Sequence, residues 1–343
     1  MIRVDQAGLQ SAIQDGGRYG YQHIGVTPGG VMDWQAYQLG NLIVGNQLNA
    51  PCIEVAYGGL ELTFDMKTEI AITGAAFTPR INGKAVPMYE TLYVIPGDHL
   101  VLGYASAGVY GYVTLACGLK LEKILGSAST DFKSGIGGID GQKLLTGGML
   151  ETYQARRTMV KKRCVPEALR TPVGGDIRIG VLPGMELERF SEDSWDQLLH
   201  ASFEIDPSSD RMGYRLKGHA SFQADSHDII SCGLARGTIQ ATSGGALIVM
   251  MADHQTTGGY TRLANVISAD FPALAQMRPG QTLRFYEMTL EEAHGRLREM
   301  KTAIETWLTP YLDAMVSTSE ESRQYRITFN HQTYVVQVSK VEE

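Results

Sequence analysis

Four short stretches recur in the same order along this chain, and a repeat of that kind calls for two copies of one folding unit. Arg18-Tyr-Gly-Tyr21 returns as Arg211-Met-Gly-Tyr214. Glu54 and Gly59 align with Cys232 and Gly237, and Ile70-Ala-Ile72 with Ile248-Val-Met250. Pro96-Gly-Asp-His-Leu100 matches Pro279-Gly-Gln-Thr-Leu283. Each match is short, so their shared order and a spacing of roughly 180–190 residues carry the argument. A length of 343 residues suits two domains of the usual ~100–200 residues each. The 39 glycines and many short β-branched runs favour strands and turns over helices. Two similar β domains side by side leave a cleft, a usual place for small-molecule sites.

Read in order, residues 1–150 form the first β domain, with strands at Ile53–Ala56, Leu60–Phe64, Glu69–Thr73, Thr91–Ile95, His99–Leu102 and Tyr110–Cys117. Asn82-Gly83 predicts a hairpin turn. Asp33 reads as the N-cap of a helix through Trp34, Leu39, Leu42 and Ile43, ending at Gly45-Asn46. The glycine-rich stretch Ser134–Gly148 reads equally as a mobile loop or as a segment that closes over a ligand. Residues 151–175 form a charged linker, and Arg156-Arg157 and Lys161-Lys162-Arg163 form its solvated face. Residues 176–288 form the second β domain, opening with a strand at Asp176–Leu182 and a helix near Ser194–His200. Thr289 and Glu292 make a capping box for a helix with Leu297, Met300, Ile304 and Leu308 on one face. Pro310 ends or kinks that helix. Tyr325–Phe329 and Thr333–Val338 then predict a hairpin, so residues 289–343 are a helix-plus-hairpin appendage.

A net charge of −7 argues against nucleic acid or an anionic membrane as partner. Met1-Ile-Arg-Val-Asp-Gln lacks the apolar core of a signal peptide, and no apolar run approaches the ~20 residues of a membrane helix. A cytoplasmic protein is expected. Cys52, Cys117, Cys164 and Cys232 are widely spaced, which reads as reduced thiols. Zinc spacing is absent, so no structural metal is expected. Neither the dinucleotide fingerprint nor a Walker motif occurs.

The densest polar stretch is Ala252-Asp-His-Gln-Thr-Thr-Gly-Gly-Tyr260, at the end of the apolar run Ala246–Met251. Asp253, His254, Gln255, Thr256, Thr257 and Tyr260 cluster there. Gly258 and Gly259 permit positive φ or a close approach of backbone to a ligand. A tight turn in which Asp253 and the threonines satisfy local backbone is the alternative. Two further polar clusters stand out. Gly8–Asp33 carries Asp15, Arg18, Tyr21 and His23 among seven glycines, and Ser209–Gly218 carries Asp210, Arg211, Tyr214 and Arg215.

The segments GLQSAIQDGGRYGYQHIGV, NLIVGN, LGSASTD, GGIDGQ, SDRMGYRLKG and ADHQTTGGY together resemble the family named for KipA and for the C subunit of 5-oxoprolinase, also called allophanate hydrolase subunit 2. The same unit serves as the carboxyltransferase part of urea carboxylase. The resemblance covers about residues 2–287 and implies two tandem cyclophilin-like β-barrel domains. It further implies an ATP-dependent opening of 5-oxoproline to glutamate, shared with a KipI-like protein and a lactam-utilisation protein. A biotin-dependent carboxyltransferase acting on urea or a related amide is one alternative. A non-catalytic protein that binds and antagonises KipI is another. At Cys232 relatives commonly carry glutamate, whereas Glu54, its counterpart in the first repeat, is present. The C-terminal hairpin resembles the opening of a biotin-carrier domain without its lysine, so no covalent biotin is expected on this chain.

A lactam amide is inert until its oxygen is activated, and phosphorylation by ATP would do that. In that chemistry Arg18, Arg211 and Arg215 would bind anions, and Asp15, Asp210 and Asp253 would hold Mg²⁺. His23 or His254 would move a proton. Tyr21, Tyr214, Gln255, Thr256, Thr257, Gly258, Gly259 and Tyr260 would face the substrate. Simpler roles compete: Arg211 pairing with Asp210, the two tyrosines in the core, and His254 capping a strand end.

Overall fold

The computed structural model describes residues 1–153, 162–218, 220, 222–316, 322–329 and 332–339, the side chains beyond 311 excepted. Arg156, Arg157 and Lys161 of the expected linker lie outside the described residues, as do Asn330 and His331.

The first half contains β1 (Ile2–Ala7), β2 (Gln10–Gln14), α1 (Trp34–Ile43), β3 (Cys52–Ala56), β4 (Leu60–Phe64) and β5 (Thr68–Ala76). It continues with β6 (Arg80–Ile81), β7 (Lys84–Ala85), β8 (Leu92–Val94), β9 (His99–Val101), β10 (Ala107–Leu115) and β11 (Met149–Leu150). These strands divide into two sheets, ordered β11-β1-β4-β9-β6-β7 and β2-β3-β10-β5-β8. Their facing sides bury Ile2, Ile13, Ile53, Leu62, Phe64 and Ile72. Asn82 and Gly83 both take positive φ (50° and 77°) between β6 and β7, the tight hairpin turn their sequence predicts. Asp33 caps α1 as expected, its carboxylate accepting from Ala36 N at 2.9 Å.

The second half contains β12 (Ile177–Pro183), α2 (Ser194–His200), β13 (Ser202–Ile205), β14 (Gly213–Lys217), β15 (Asp228–Gly233) and β16 (Thr238–Ala241). It continues with β17 (Leu247–Met250), β18 (Thr257–Val266), α3 (Phe271–Ala275) and β19 (Thr282–Glu287). β12 pairs in parallel with β19 and antiparallel with β18. That double pairing closes β12-β19-β13-β14-β17-β16-β18 into a seven-stranded barrel, with β15 attached to β18 outside the ring. The mainly β architecture matches the sequence expectation.

The repeat is visible in turn chemistry. Gly59 and Gly237 both take positive φ directly before β4 and β16, and Gly97 and Gly280 do so before β9 and β19. Strand neighbours differ, however. β4 lies between β1 and β9, while β16 lies between β17 and β18.

One apolar cluster runs through both halves, joining Met32, Tyr37, Tyr110 and Tyr112 to Phe203, Val249, Met251 and Phe285. The seam is also hydrogen-bonded. The fully buried Gln276 accepts from Val109 N (2.8 Å) and donates to Tyr110 O and to Asp33 Oδ2 (both 2.8 Å). A glutamine side chain thus fills main-chain positions that a neighbouring strand would fill.

The last helix, α4 (Leu290–Val316), opens on the expected capping box, Thr289 N donating to Glu292 Oε2 at 2.8 Å. Pro310 does not end it. Proline removes a single amide donor, and the turns on either side carry the helix through. Nor is α4 a detached appendage. Leu297 and Met300 pack against Ile267 and Ala269 of the second half, and Ile304, Trp307 and Leu308 pack with Leu42, Tyr89 and Val165. Trp307 Nε1 donates to Cys164 O at 2.8 Å, and Arg296 pairs with Asp270 at 2.8 Å.

Arg163 corrects the solvated-face expectation for the linker. It is buried, donates to the Leu42 carbonyl at the C-terminal turn of α1, and lies 5.6 Å from the Tyr311 ring centroid. Helix-end carbonyls need donors, and a basic side chain is the usual supplier. The backbone of β20 (Ser322–Phe329) and β21 (Gln332–Ser339) forms the expected hairpin. Among the described residues no helix is long and apolar enough to cross a membrane.

Candidate functional site

β14 and β17 are paired with Gly213 opposite Met250, so Arg211 and Asp253 extend from the same barrel end towards the first half. Arg211 clasps Asp253 through two hydrogen bonds, Nε to Oδ2 at 2.7 Å and Nη2 to Oδ1 at 2.9 Å. Its Nη1 donates to Glu54 Oε1 on β3, and Nη2 also donates to Gly30 O. The other Glu54 oxygen accepts from Met32 N at 2.7 Å and from the Tyr112 hydroxyl at 2.9 Å. Burial alone would lower the Arg211 pKa, but Asp253 and Glu54 outweigh it and hold the guanidinium above the ordinary arginine range. Burial pushes the Glu54 carboxyl up, against the downward pull of Arg211. A guanidinium with two carboxylates fixes three chain segments at once, and is rigid because all its partners are.

His254 follows directly. It is buried, with Nδ1 2.7 Å from Gln255 O. Burial lowers its pKa, and nearby Arg236 lowers it further. Donation from Nδ1 leaves Nε2 as the free acceptor nitrogen. Of the two roles open to Gly258 and Gly259, positive φ is not taken by either; both lie within β18. Close packing explains the first glycine. A Cβ on Gly258 would stand 2.6 Å from Leu234 Cδ1 and 2.9 Å from Gln240 Nε2. Gln255 and Thr257 are exposed, Thr256 is half-buried, and Tyr260 is 36% exposed.

Other expected site residues fall elsewhere. Asp15 accepts from Ser127 Oγ (2.6 Å), Ser129 Oγ (2.7 Å), Ala128 N (2.7 Å) and Gly17 N (2.9 Å). Arg18 is 1% exposed and donates to the carbonyls of Ile124 and Ser129. Both residues fasten the loop after β2 to the segment 124–138, and there the glycine-rich stretch is a chain of tight turns rather than a loose lid. A Cβ on Gly137, for instance, would stand 2.0 Å from Ser129 O. His23 sits exposed on a single turn at Gln22–Ile24, and Tyr21 is half-buried beside it. Asp210 caps the turn into β14 through Met212 N at 2.8 Å, so it is not the partner of Arg211. Tyr214 is buried and donates to Ala275 O at 3.0 Å, as a core tyrosine would, while Arg215 points to the exposed side of β14.

Beside the Arg211 cluster lies a cleft of about 320 Å³ between the first-half loop, the second half and α4. Gly29 lies between the two features: it lines the cleft, and a Cβ on it would meet Asp253 Oδ1 at 3.7 Å. Arg236 forms one wall, Trp34 and Phe271 supply aromatic faces, and Lys301 of α4 stands at the edge. Three residues of this region are not among the expected site residues. Glu54 carries a hint, as the intact counterpart of Cys232. Arg236 lies in an unremarkable turn and Lys301 on a helix whose face reads as packing, so neither leaves a signal.

The carboxyltransferase domain family, subdomains A and B, matches residues 24–287, which contain the whole of this cluster. The chain belongs to this family. Among its relatives, the C subunit of 5-oxoprolinase from Escherichia coli is 36% identical over 293 residues, covering 85% of this chain and 93% of that protein. The Haemophilus influenzae protein of the same name matches with equal identity and cover. Urea amidolyase of Saccharomyces cerevisiae is 27% identical over 328 residues, but this carboxyltransferase-family chain spans only 18% of it. The crystal structure of Kluyveromyces lactis urea carboxylase superposes with a TM-score of 0.84 at 26% identity, covering 89% of this chain and 29% of that one.

Proposed function

We propose that this chain is a subunit of a 5-oxoprolinase, an enzyme that opens 5-oxo-L-proline to L-glutamate with ATP and water. One observation carries the reading: the 5-oxoprolinase C subunits match along nearly their whole length at 36% identity, while the urea amidolyase match is lower and confined to a fraction of that protein. A KipI-like protein and a lactam-utilisation protein complete the reaction in this proposal, and the chain alone is inactive.

The carboxylates expected to hold Mg²⁺ with ATP do not suit that task. Both oxygens of Asp15 are occupied by protein donors, Asp210 caps a turn, and Asp253 is engaged by Arg211. Among the described residues no group of three or more acidic, histidine or cysteine side chains is placed to hold a metal ion. In this proposal the nucleotide sits with the other two proteins, and this chain contributes the substrate side. Arg211 and Glu54 keep the site rigid, and His254, close enough to feel the charge of the cleft residue Arg236, offers a neutral imidazole for proton transfer.

The family match keeps a biotin-dependent carboxyltransferase as the second reading. Avidin separates the two. Glutamate release by the reconstituted enzyme that is indifferent to excess avidin supports the proposal, and no glutamate release with an avidin-sensitive carboxylation of urea supports the alternative.

A further inference from the structure

Among the described residues, Arg236 is a buried guanidinium that forms no ion pair with a carboxylate. Its Nη1 and Nη2 donate to the carbonyls of Val31 (3.1 Å) and Met32, its plane lies 4.9 Å from the Phe271 ring centroid, and its buried Nε has no partner. Arg211, the other buried guanidinium of this region, has two carboxylates; among the described residues Arg236 pairs with none. Lys301, exposed on α4, likewise pairs with no described carboxylate and lines the same cleft. Positive charge held by carbonyls and an aromatic face, at low dielectric, is costly unless an anion balances it.

The cleft walls are preorganised. Trp34 Nε1 donates to Ser268 O at 3.1 Å, which fixes the indole, and Phe271 is fixed under Arg236. Tyr37 and Gln38 line the same cleft. Flat apolar walls, one amide and two cations fit a compact ring that bears one negative charge. A phosphate ester fits less well, since the α1 start beside the cleft already carries the carboxylate cap of Asp33.

We propose that this cleft binds a small ring carboxylate, with its carboxylate drawn to Arg236 and Lys301 and its ring between Trp34 and Phe271. Lys301 makes α4 part of the site rather than a mere strap. The choice of ring rests on the 5-oxoprolinase reading, whereas the demand for a carboxylate does not.

The test is titration calorimetry on the full chain with three probes: 5-oxoproline, cyclopentanecarboxylate, which lacks the lactam, and 2-pyrrolidinone, which lacks the carboxylate. Both carboxylates are expected to bind at least about tenfold more tightly than 2-pyrrolidinone, since a charged hydrogen bond is lost. Lys301→Gln, at an exposed position, should weaken the carboxylates by about three- to fivefold with an unchanged melting temperature. Arg236→Gln should abolish their binding, its folding being monitored separately because it also frees two carbonyls. Equal binding of 2-pyrrolidinone, no effect of Lys301→Gln, or no binding of any probe overturns the proposal. Cyclopentanecarboxylate binding that depends on Lys301, in a chain whose reconstituted complex releases no glutamate, would keep the cleft and remove the oxoprolinase reading. Glutamate release with a KM for 5-oxoproline that Lys301→Gln leaves unchanged would do the reverse.

Discussion

Arg211 and Glu54, 157 positions apart in the sequence, form a buried ion pair across the seam between the two halves. Asp253 shares the same guanidinium. Removing the cation would leave two carboxylates at the seam without their counter-ion.

Arg211→Met is therefore expected to cost about 3–5 kcal/mol of stability, read as a lowered urea midpoint. Arg211→Lys should recover little of it, because an ammonium cannot reproduce the two-pronged bond to Asp253. A loss below about 1 kcal/mol would mean the pair is not the joint described here.

Asp33 gives a pH signature. Burial pushes its carboxyl up to about 6, despite hydrogen bonds from Gln276, Ala36 and Thr171. The folded value lies above the ordinary aspartate value of 3.8, so the stability Asp33 contributes is fully present below that value and is lost as pH rises through about 6. Relative to Asp33→Asn, the wild type should lose on the order of 2–3 kcal/mol between acid and neutral pH. Parallel stability curves for the two proteins would contradict this.

Gly258→Ala drives a methyl group against Leu234 and Gln240, and about 1–3 kcal/mol of destabilisation should follow. Gly233, on the neighbouring strand β15, has open space around it. Gly233→Ala should change stability by no more than about 0.5 kcal/mol. Thermal melts of the pair separate packing at Gly258 from any general intolerance of side chains there.

His254 should set an acid limit on turnover. Burial first, and Arg236 next, keep its pKa below the ordinary histidine value of 6.5, so it is neutral at pH 7. What the neutral ring contributes is present above that value and is lost as pH falls through the lowered one. In the reconstituted enzyme, kcat/KM should fall on the acid side, and His254→Gln should be slow with that limb flattened. An unchanged acid limb in the variant would remove His254 from proton transfer.

The main architecture is legible in the sequence because it rests on local rules. Asp33 before an apolar helix, Asn82-Gly83 between short strands, and the Thr289–Glu292 capping box each act within a few residues, and each takes its expected form. The site is only partly legible. Asp253 and Arg211 stand out by type and density, but nothing local says that Glu54 meets Arg211, since that contact depends on how the two halves fuse. Arg18 and Asp15 mislead for a physical reason: a loop rich in glycine needs donors and acceptors to hold its backbone, and charged side chains do that as well as any ligand would. Arg236 cannot be found from the sequence at all, because its importance lies in a burial that no described carboxylate balances.

The most direct test of the 5-oxoprolinase assignment is glutamate release from 5-oxoproline by the purified chain, the KipI-like protein and the lactam-utilisation protein with Mg-ATP, each protein omitted in turn. The account predicts glutamate only when all three are present, and loss of most turnover when this chain carries Arg236→Gln. Glutamate formed at the same rate without this chain would contradict it.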